Sequence, residues 1–172
     1  HPPALSIIPC ADRGLFVEDG RVEINVIARK TNGQTEKKYI DAGVFPGFTN
    51  QPQGILAGDL LFLSALMAID KNGLAPSAKL DSQQPHFQST VAAQAEYILD
   101  NVERLCAAAG TSLENVVRIQ QFHTDLSDFY TVHEVLARRL DGRPVPFSAV
   151  EVPNAFPVPG CTLMLDIWVY AP

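Results

Sequence analysis

The stretch that most constrains this chain is residues 89–123, S-T-V-A-A-Q-A-E-Y-I-L-D-N-V-E-R-L-C-A-A-A-G-T-S-L-E-N-V-V-R-I-Q-Q-F-H. Val91, Ala95, Ile98, Val102, Leu105 and Ala109 recur at steps of three and four, so one face of a helix is apolar. Gln94, Glu96, Asp100, Asn101, Glu103 and Arg104 fall mainly on the other face. Ser89 or Thr90 supplies the N-cap, and Gly110 the left-handed residue that ends the helix. After a short turn, residues 116–124 are rich in β-branched and apolar side chains and predict a strand. A long amphipathic helix delivered straight onto a strand commits the chain to a helix-on-sheet layer. Chemistry is then expected at what the sheet carries on its edges.

Composition narrows the classes. The 172 residues suit one domain with an appendage, and a hydrophobic share of 47% is ample for a core. No apolar run approaches the ~18 residues of a membrane span, so no membrane partner is expected. A net charge of −6 argues against a nucleic-acid groove, which needs clustered Lys and Arg. Cys10, Cys106 and Cys161 have no C-x-x-C spacing and read as unpaired thiols of a reducing, cytoplasmic compartment. No His, Cys or carboxylate spacing suits zinc. Gly43, Gly47 and Gly54 lack both the spacing and the following helix of a phosphate loop. No metal and no cofactor are expected.

Along the chain, residues 5–8 predict a short strand after prolines that exclude helix. Residues 21–30 alternate, with Val22, Ile24, Val26 and Ala28 on one face and Glu23, Asn25 and Ile27 on the other. Residues 39–44 predict a further short strand. Gly58-Asp59 sits between two apolar runs and predicts a hairpin of 54–57 with 60–64, followed by a loop over 71–85. A second helix is expected over 129–140, with Phe129, Val132, Leu136 and Leu140 inward and Ser127 or Asp128 as cap. Strands at 147–152 and 161–170 close the order. The resulting class is α+β, a mixed sheet with two helices packed on one face.

An internal repeat runs through these elements. P-P-A-L-S-I-I at 2–8 is similar to P-V-P-F-S-A-V at 144–150, and V-E-I-N-V-I-A at 22–28 to L-D-I-W-V-Y-A at 165–171. The repeat implies that residues 1–30 are a strand pair ending one module, 31–38 a linker, and 39–172 a complete second module. The H-P-P start without Met fits a piece of a longer precursor. On this reading residues 21–28 join a larger sheet, supplied by the complete module or by a separate chain carrying the first module.

The second module resembles the Rid family (reactive intermediate deaminases, also YjgF-like or L-PSP endoribonuclease-like proteins). The matching pieces are G-D-L-L-F-L-S at 58–64, D-K-N-G at 70–73 and A-A-A-G-T-S-L-E-N-V-V-R-I at 107–119. They continue through D-L-S-D-F-Y at 125–130, V-P-F-S-A-V-E-V at 145–152 and the closing L-D-I-W-V-Y-A. The resemblance implies a chorismate-mutase-like fold, a homotrimer with a central barrel, and small-molecule clefts between subunits. It also implies hydrolysis of imines and enamines derived from amino acids, releasing ammonia. The family's arginine in P-x-R-S grips the substrate carboxylate through two parallel bonds that lysine does not reproduce. A glutamate in the last strand orients water or a proton, and a tyrosine lies before the first hairpin.

This chain departs at most of those positions. The arginine position is Phe147, with Leu5 its equivalent in the tail; the tyrosine position is Gln51; and the glycine after L-F-L-S is Ala65. The carboxylate persists as Asp166, with Glu23 in the tail. Candidate site residues are therefore Asp166 as the catalytic group, with Phe147, Ser148, Gln51 and Glu23 around substrate. His123, beside Thr124 and Asp125, reads as a hydrogen-bonded structural histidine, a base paired with a carboxylate being the other reading. His133 is expected on the solvent side of the second helix and His86 in a loop. Ser148 has no histidine in sequence context to activate it and reads as a backbone-bonding strand-end residue rather than a nucleophile, and Trp168 as a packing or interface residue. Two functions stay open. One is a deaminase or hydrolase acting on an imine, enamine or related carbonyl metabolite other than simple amino-acid imines. The other is a non-catalytic binding or structural subunit.

Overall fold

The computed structural model describes residues 3–9, 24, 26–27, 36–45, 51–80 and 89–172. In chain order these form β1 (Lys37–Ile40), β2 (Gly54–Ala57), β3 (Leu60–Leu63), β4 (Leu66–Met67), β5 (Ile69–Asp70) and β6 (Gly73–Leu74). Then come α1 (Thr90–Ala109), β7 (Val116–His123), α2 (Phe129–Arg139), β8 (Phe147–Glu151) and β9 (Leu163–Tyr170). The main sheet runs β1-β2-β3-β9-β7-β8, with β4 also pairing β9. Its pairs are antiparallel except β7 with β8, which are parallel, so the sheet is mixed as expected.

The helix α1 begins and ends where its caps lie. Ser89 accepts from the Ala92 N–H at 3.3 Å, and Gly110 takes φ 79°, a conformation costly for any side chain. Its apolar stripe, with Ile98, Leu99, Val102 and Leu105 fully enclosed, packs on Leu163, Leu165, Ile167 and Val169 of β9. Each such side chain contributes about 1.5–3 kcal/mol when taken from water, so burial rather than intrinsic propensity holds the helix. Val132, Val135 and Leu136 of α2 join the same core. Arg139 ties the helices together, its Nη1 2.9 Å from Asp100 and its Nη2 2.9 Å from Glu103.

Several expectations are corrected. Gln94 and Asn101, expected on the polar face of α1, are buried. Gln94 is an amide bridge: Nε2 donates to the Gly160 carbonyl at 3.0 Å and Oε1 accepts from the Thr162 N–H at 2.9 Å. Both orphan groups of that loop are thereby met, which an apolar residue would not do. The loop expected from residue 71 begins with the small hairpin β5–β6, where Asn72-Gly73 turns at a glycine with φ 112°. The strand expected at 39–44 lies at Lys37–Ile40. Asp128 stands at the N-cap of α2 without a side-chain bond; Asp125 instead accepts from the Ser127 N–H at 2.8 Å.

Residues 5–8 are not part of the sheet's ladders. Leu5 is held by its N–H on Ser64 Oγ at 3.1 Å and by its carbonyl, which accepts from the Ala65 N–H at 3.2 Å. A side chain thus supplies one of the bonds that a neighbouring strand would. Of the expected strand at 21–28, the described residues Ile24, Val26 and Ile27 lie outside any strand and are 77%, 76% and 65% exposed. A strand needs a paired edge and an apolar floor, and among the described residues these three have no such cover. Val22 and Glu23 lie outside the described residues, as do His86, Cys10 and the linker through residue 35.

Candidate functional site

The sheet has two faces, and strand register decides which side chains share one. On β9, Leu163, Leu165, Ile167 and Val169 face the helices, so Met164, Asp166 and Trp168 face away. Gln120 of β7 lies opposite Asp166 on one side and opposite Ser148 of β8 on the other. Ser148, Gln120 and Asp166 therefore form one row across three strands on the outer face.

Asp166 is the focus of that row. Its Oδ2 accepts from Ser6 Oγ at 2.6 Å, and its Oδ1 stands 3.6 Å from Arg118 Nη1. Oδ1 is enclosed and has no hydrogen-bond partner among the described residues. Arg118 Nη2 donates to Gln120 Oε1 at 2.6 Å, and its guanidinium carbon lies 4.5 Å from the Trp168 ring centre. Trp168 meets Phe62 edge-on, centroids 5.1 Å apart. A carboxylate and a guanidinium stacked on an indole thus converge beside an apolar wall.

Gln51 adjoins the same place, its Nε2 donating to the Leu5 carbonyl. Ser64 Oγ donates to the Pro52 carbonyl at 2.6 Å while accepting from Leu5. Ile8 packs on a second apolar cluster of Met67, Phe122, Val152, Phe156 and Met164 on the outer face.

Phe147 does not belong to this group. It lies opposite Ile119, a core residue under the helices, and so points to the helix side. Its ring stacks on Phe129, centroids 5.7 Å apart at 29°, and lies 5.7 Å from His133. His133 in turn stacks on Phe129 at 5.6 Å. With Tyr130 exposed to 78% and Phe147 to 49%, this is an accessible aromatic wall. Within one chain the structure brings Asp166, Ser148 and Gln51 to one face and puts Phe147 on the other. Glu23 lies outside the described residues.

Other titratable groups are structural. His123 is fully enclosed on the helix side, its Nε2 3.1 Å from Gln121 Oε1. Burial holds its imidazole below the ordinary value, and the Asp128 carboxylate acts in the opposite direction. Burial pushes the Cys106 thiol up to about 12, with Glu103 adding to it, and the Cys161 thiol to about 11. Both are free and buried, and neither is a nucleophile at neutral pH. No group of three or more His, Cys, Asp or Glu able to hold a metal occurs among the described residues. No helix among them is long and apolar enough to cross a membrane.

Sequence reasoning missed Arg118, Ser6 and the ring wall of Phe129 and His133. Alternation in β7 does put Arg118 and Gln120 on one face. The register that sets them beside Asp166 is not written in either strand alone.

Comparison with known proteins agrees with the fold. The profile of the family described as endoribonuclease L-PSP matches residues 49–163. Protein DfrA of Myxococcus xanthus is 34% identical over 96 residues, 56% of this chain; the match spans 66% of that protein, just under two thirds. TdcF of Escherichia coli, proposed by its name to be a reactive intermediate deaminase, is 31% identical over 106 residues, 61% of this chain and 74% of TdcF. The crystal structure of RidA from an Antarctic Psychrobacter species superposes with a TM-score of 0.61 at 27% identity. It covers 77% of this chain and 98% of that one.

Proposed function

The chain belongs to the endoribonuclease L-PSP family, also called Rid or YjgF-like, and from that premise we propose that it handles an apolar imine, enamine or related carbonyl metabolite in a cleft formed between copies. The observation that carries this reading is the placement of Phe147 and Asp166 on opposite faces of one sheet. A site that uses both takes the ring wall from one copy and the carboxylate from the next. A homotrimer meets that need. Free buried thiols support a reducing, cytoplasmic setting.

In this cleft Asp166 holds or takes a proton from the attacking water, and Arg118 beside it steadies developing negative charge. Phe147, Phe129 and His133 replace a guanidinium grip with flat apolar surface, which favours an aromatic or branched side chain over a small amino-acid skeleton. Ser148 and Gln51 contribute polar contacts at the rim.

The test generates imines in situ with an amino-acid oxidase and follows ammonia release. We expect little acceleration with alanine as precursor and more with phenylalanine or leucine. Asp166→Asn should lower kcat by about 10²-fold or more, as for a lost acid–base group. Turnover unchanged in Asp166→Asn would sink the catalytic role. A second reading, a non-catalytic binding or structural subunit, is favoured by the Ser6 hydroxyl already seated on Asp166. It predicts no acceleration with any precursor.

A further inference from the structure

Gln121 and His123 form a polar pair inside the apolar core. They stand two residues apart on the helix-facing side of β7, and both are fully enclosed. His123 Nε2 lies 3.1 Å from Gln121 Oε1. With the amide oxygen as acceptor, Nε2 is assigned the hydrogen and Nδ1 keeps a bare lone pair. Neither Nδ1 nor Gln121 Nε2 has a hydrogen-bond partner among the described residues. Orphaned polar atoms are rare in a native core and mark a place that stores strain or switches. The surroundings of His123 differ in stiffness. It pairs with Leu163 of β9 and Glu151 of β8, and its carbonyl accepts from the Val152 N–H at 2.7 Å. Its other neighbour is the single 3-10 turn Leu126–Asp128, whose Asp128 carboxylate acts on the imidazole. That turn is held by the Leu126 N–H on the Glu151 carboxylate at 2.9 Å, the Ser127 N–H on the Asp125 carboxylate at 2.8 Å and the Asp128 N–H on the Asp125 carbonyl at 3.2 Å. Asp128 itself makes no cap bond to α2. The charged groups around the imidazole are thus Asp125, Asp128 and Glu151; Leu163 and the buried residues of α1 and α2 bring none.

We propose that His123 is a proton-operated latch beneath the corner where this turn enters α2: once protonated it releases residues 126–131, and the ring wall built on Phe129 loosens with them. A neutral imidazole can remain in this enclosure. An imidazolium there lacks both water and a paired acceptor, which strongly disfavours the closed state. Its Nδ1–H then needs a partner. The strands on either side cannot part without breaking the sheet, whereas the turn can move by giving up a few bonds near the surface. Such openings are local and lie well below global unfolding in free energy. Opening hydrates the imidazole, and Asp128, already without a cap bond, is the carboxylate it meets. Phe129 leaves its stack on Phe147 and His133 as the corner moves. The aromatic surface at the start of α2 is thereby set by acidity.

The experiment follows amide exchange of the full chain between about pH 8 and about pH 5, the span in which an imidazole titrates, with protection corrected for the intrinsic rate at each pH. Residues 126–131 should exchange through a local opening, with protection at least about tenfold below that of residues 98–105 in α1. Below the ordinary imidazole value of 6.5 the open corner binds a proton that the closed one refuses. Protection of 126–131 should therefore fall about tenfold per pH unit there, and level off at the folded pKa. His123→Gln keeps a polar side chain that cannot charge, and should abolish this dependence. If His123→Gln does not fold, Asp128→Asn serves. It keeps the imidazole but removes the carboxylate that favours its charged form, so the fall should run on to lower pH than in the parent. Corner protection equal to that of α1 at every pH means that the corner opens only with the whole chain, and overturns the latch. So does a corner already unprotected at about pH 8, a dependence that survives in His123→Gln, or a fall in Asp128→Asn that ends no lower than in the parent.

Discussion

Ser6 donates its hydroxyl proton to Asp166 Oδ2 at 2.6 Å across a sequence separation of 160 residues. The bond ties the start of the described chain to its last strand. A short O–H···O⁻ bond to a charged acceptor is among the stronger hydrogen bonds in a protein, and here it is the contact between residues 3–9 and the carboxylate row. Ser6→Ala should release that segment locally and leave the core alone. Amide exchange in residues 4–8 should quicken clearly, while the global unfolding midpoint moves by no more than the equivalent of about 1 kcal/mol. Exchange unchanged in that segment would mean that Leu5, through Ser64 and Ala65, holds it unaided.

Phe147→Arg returns a guanidinium to the start of β8, on the side of Phe129 and His133. Phe147 is half exposed, so the change should be tolerated. If the ring wall of one copy faces the carboxylate of the next, kcat/KM for simple amino-acid imines should rise by about tenfold or more, the worth of one charged hydrogen-bonded grip. A null result in a chain that assembles would place Phe147 outside the cleft.

Gln94 reports on the loop beneath α1. Replacing it with Leu keeps volume but strands the Gly160 carbonyl and the Thr162 N–H. The expected cost is about 1–3 kcal/mol, since each stranded group loses its partner without regaining water. Urea unfolding of Gln94→Leu measures it, and a neutral result would show that the loop finds other partners.

His123 sets a pH dependence whose sign follows from burial. Its folded pKa lies below the ordinary value of 6.5. Below that value the unfolded chain binds a proton that the folded chain refuses. Stability is therefore full above the unfolded pKa and falls as pH drops through and below 6.5, until the folded pKa is reached. His123→Gln should flatten that slope relative to the parent, even if it lowers stability at neutral pH. Parallel slopes in both chains would assign the acid sensitivity elsewhere.

Periodicity and caps by themselves determined the helix between Ser89 and Gly110, the hairpin around Gly58-Asp59, the second helix from Phe129 and the last two strands. Each rests on neighbours three, four or two residues apart, and such interactions are local. The matching motifs carried the family in the same way. Three things depended on the tertiary structure. Gln94 and Asn101 look polar in any helical projection, and only the loop at 160–162 and the packing around α1 made them interior. Phe147 and Asp166 are set on opposite faces within one chain by the pairing of Ile119 with Phe147 and of Gln120 with Asp166. Arg118 came to Asp166, and Ser6 with it, through contacts between distant segments. Register moves in steps of one residue, and each step exchanges the two faces of a strand. A single strand's sequence therefore says which residues travel together, and the pairing of strands says whom they meet.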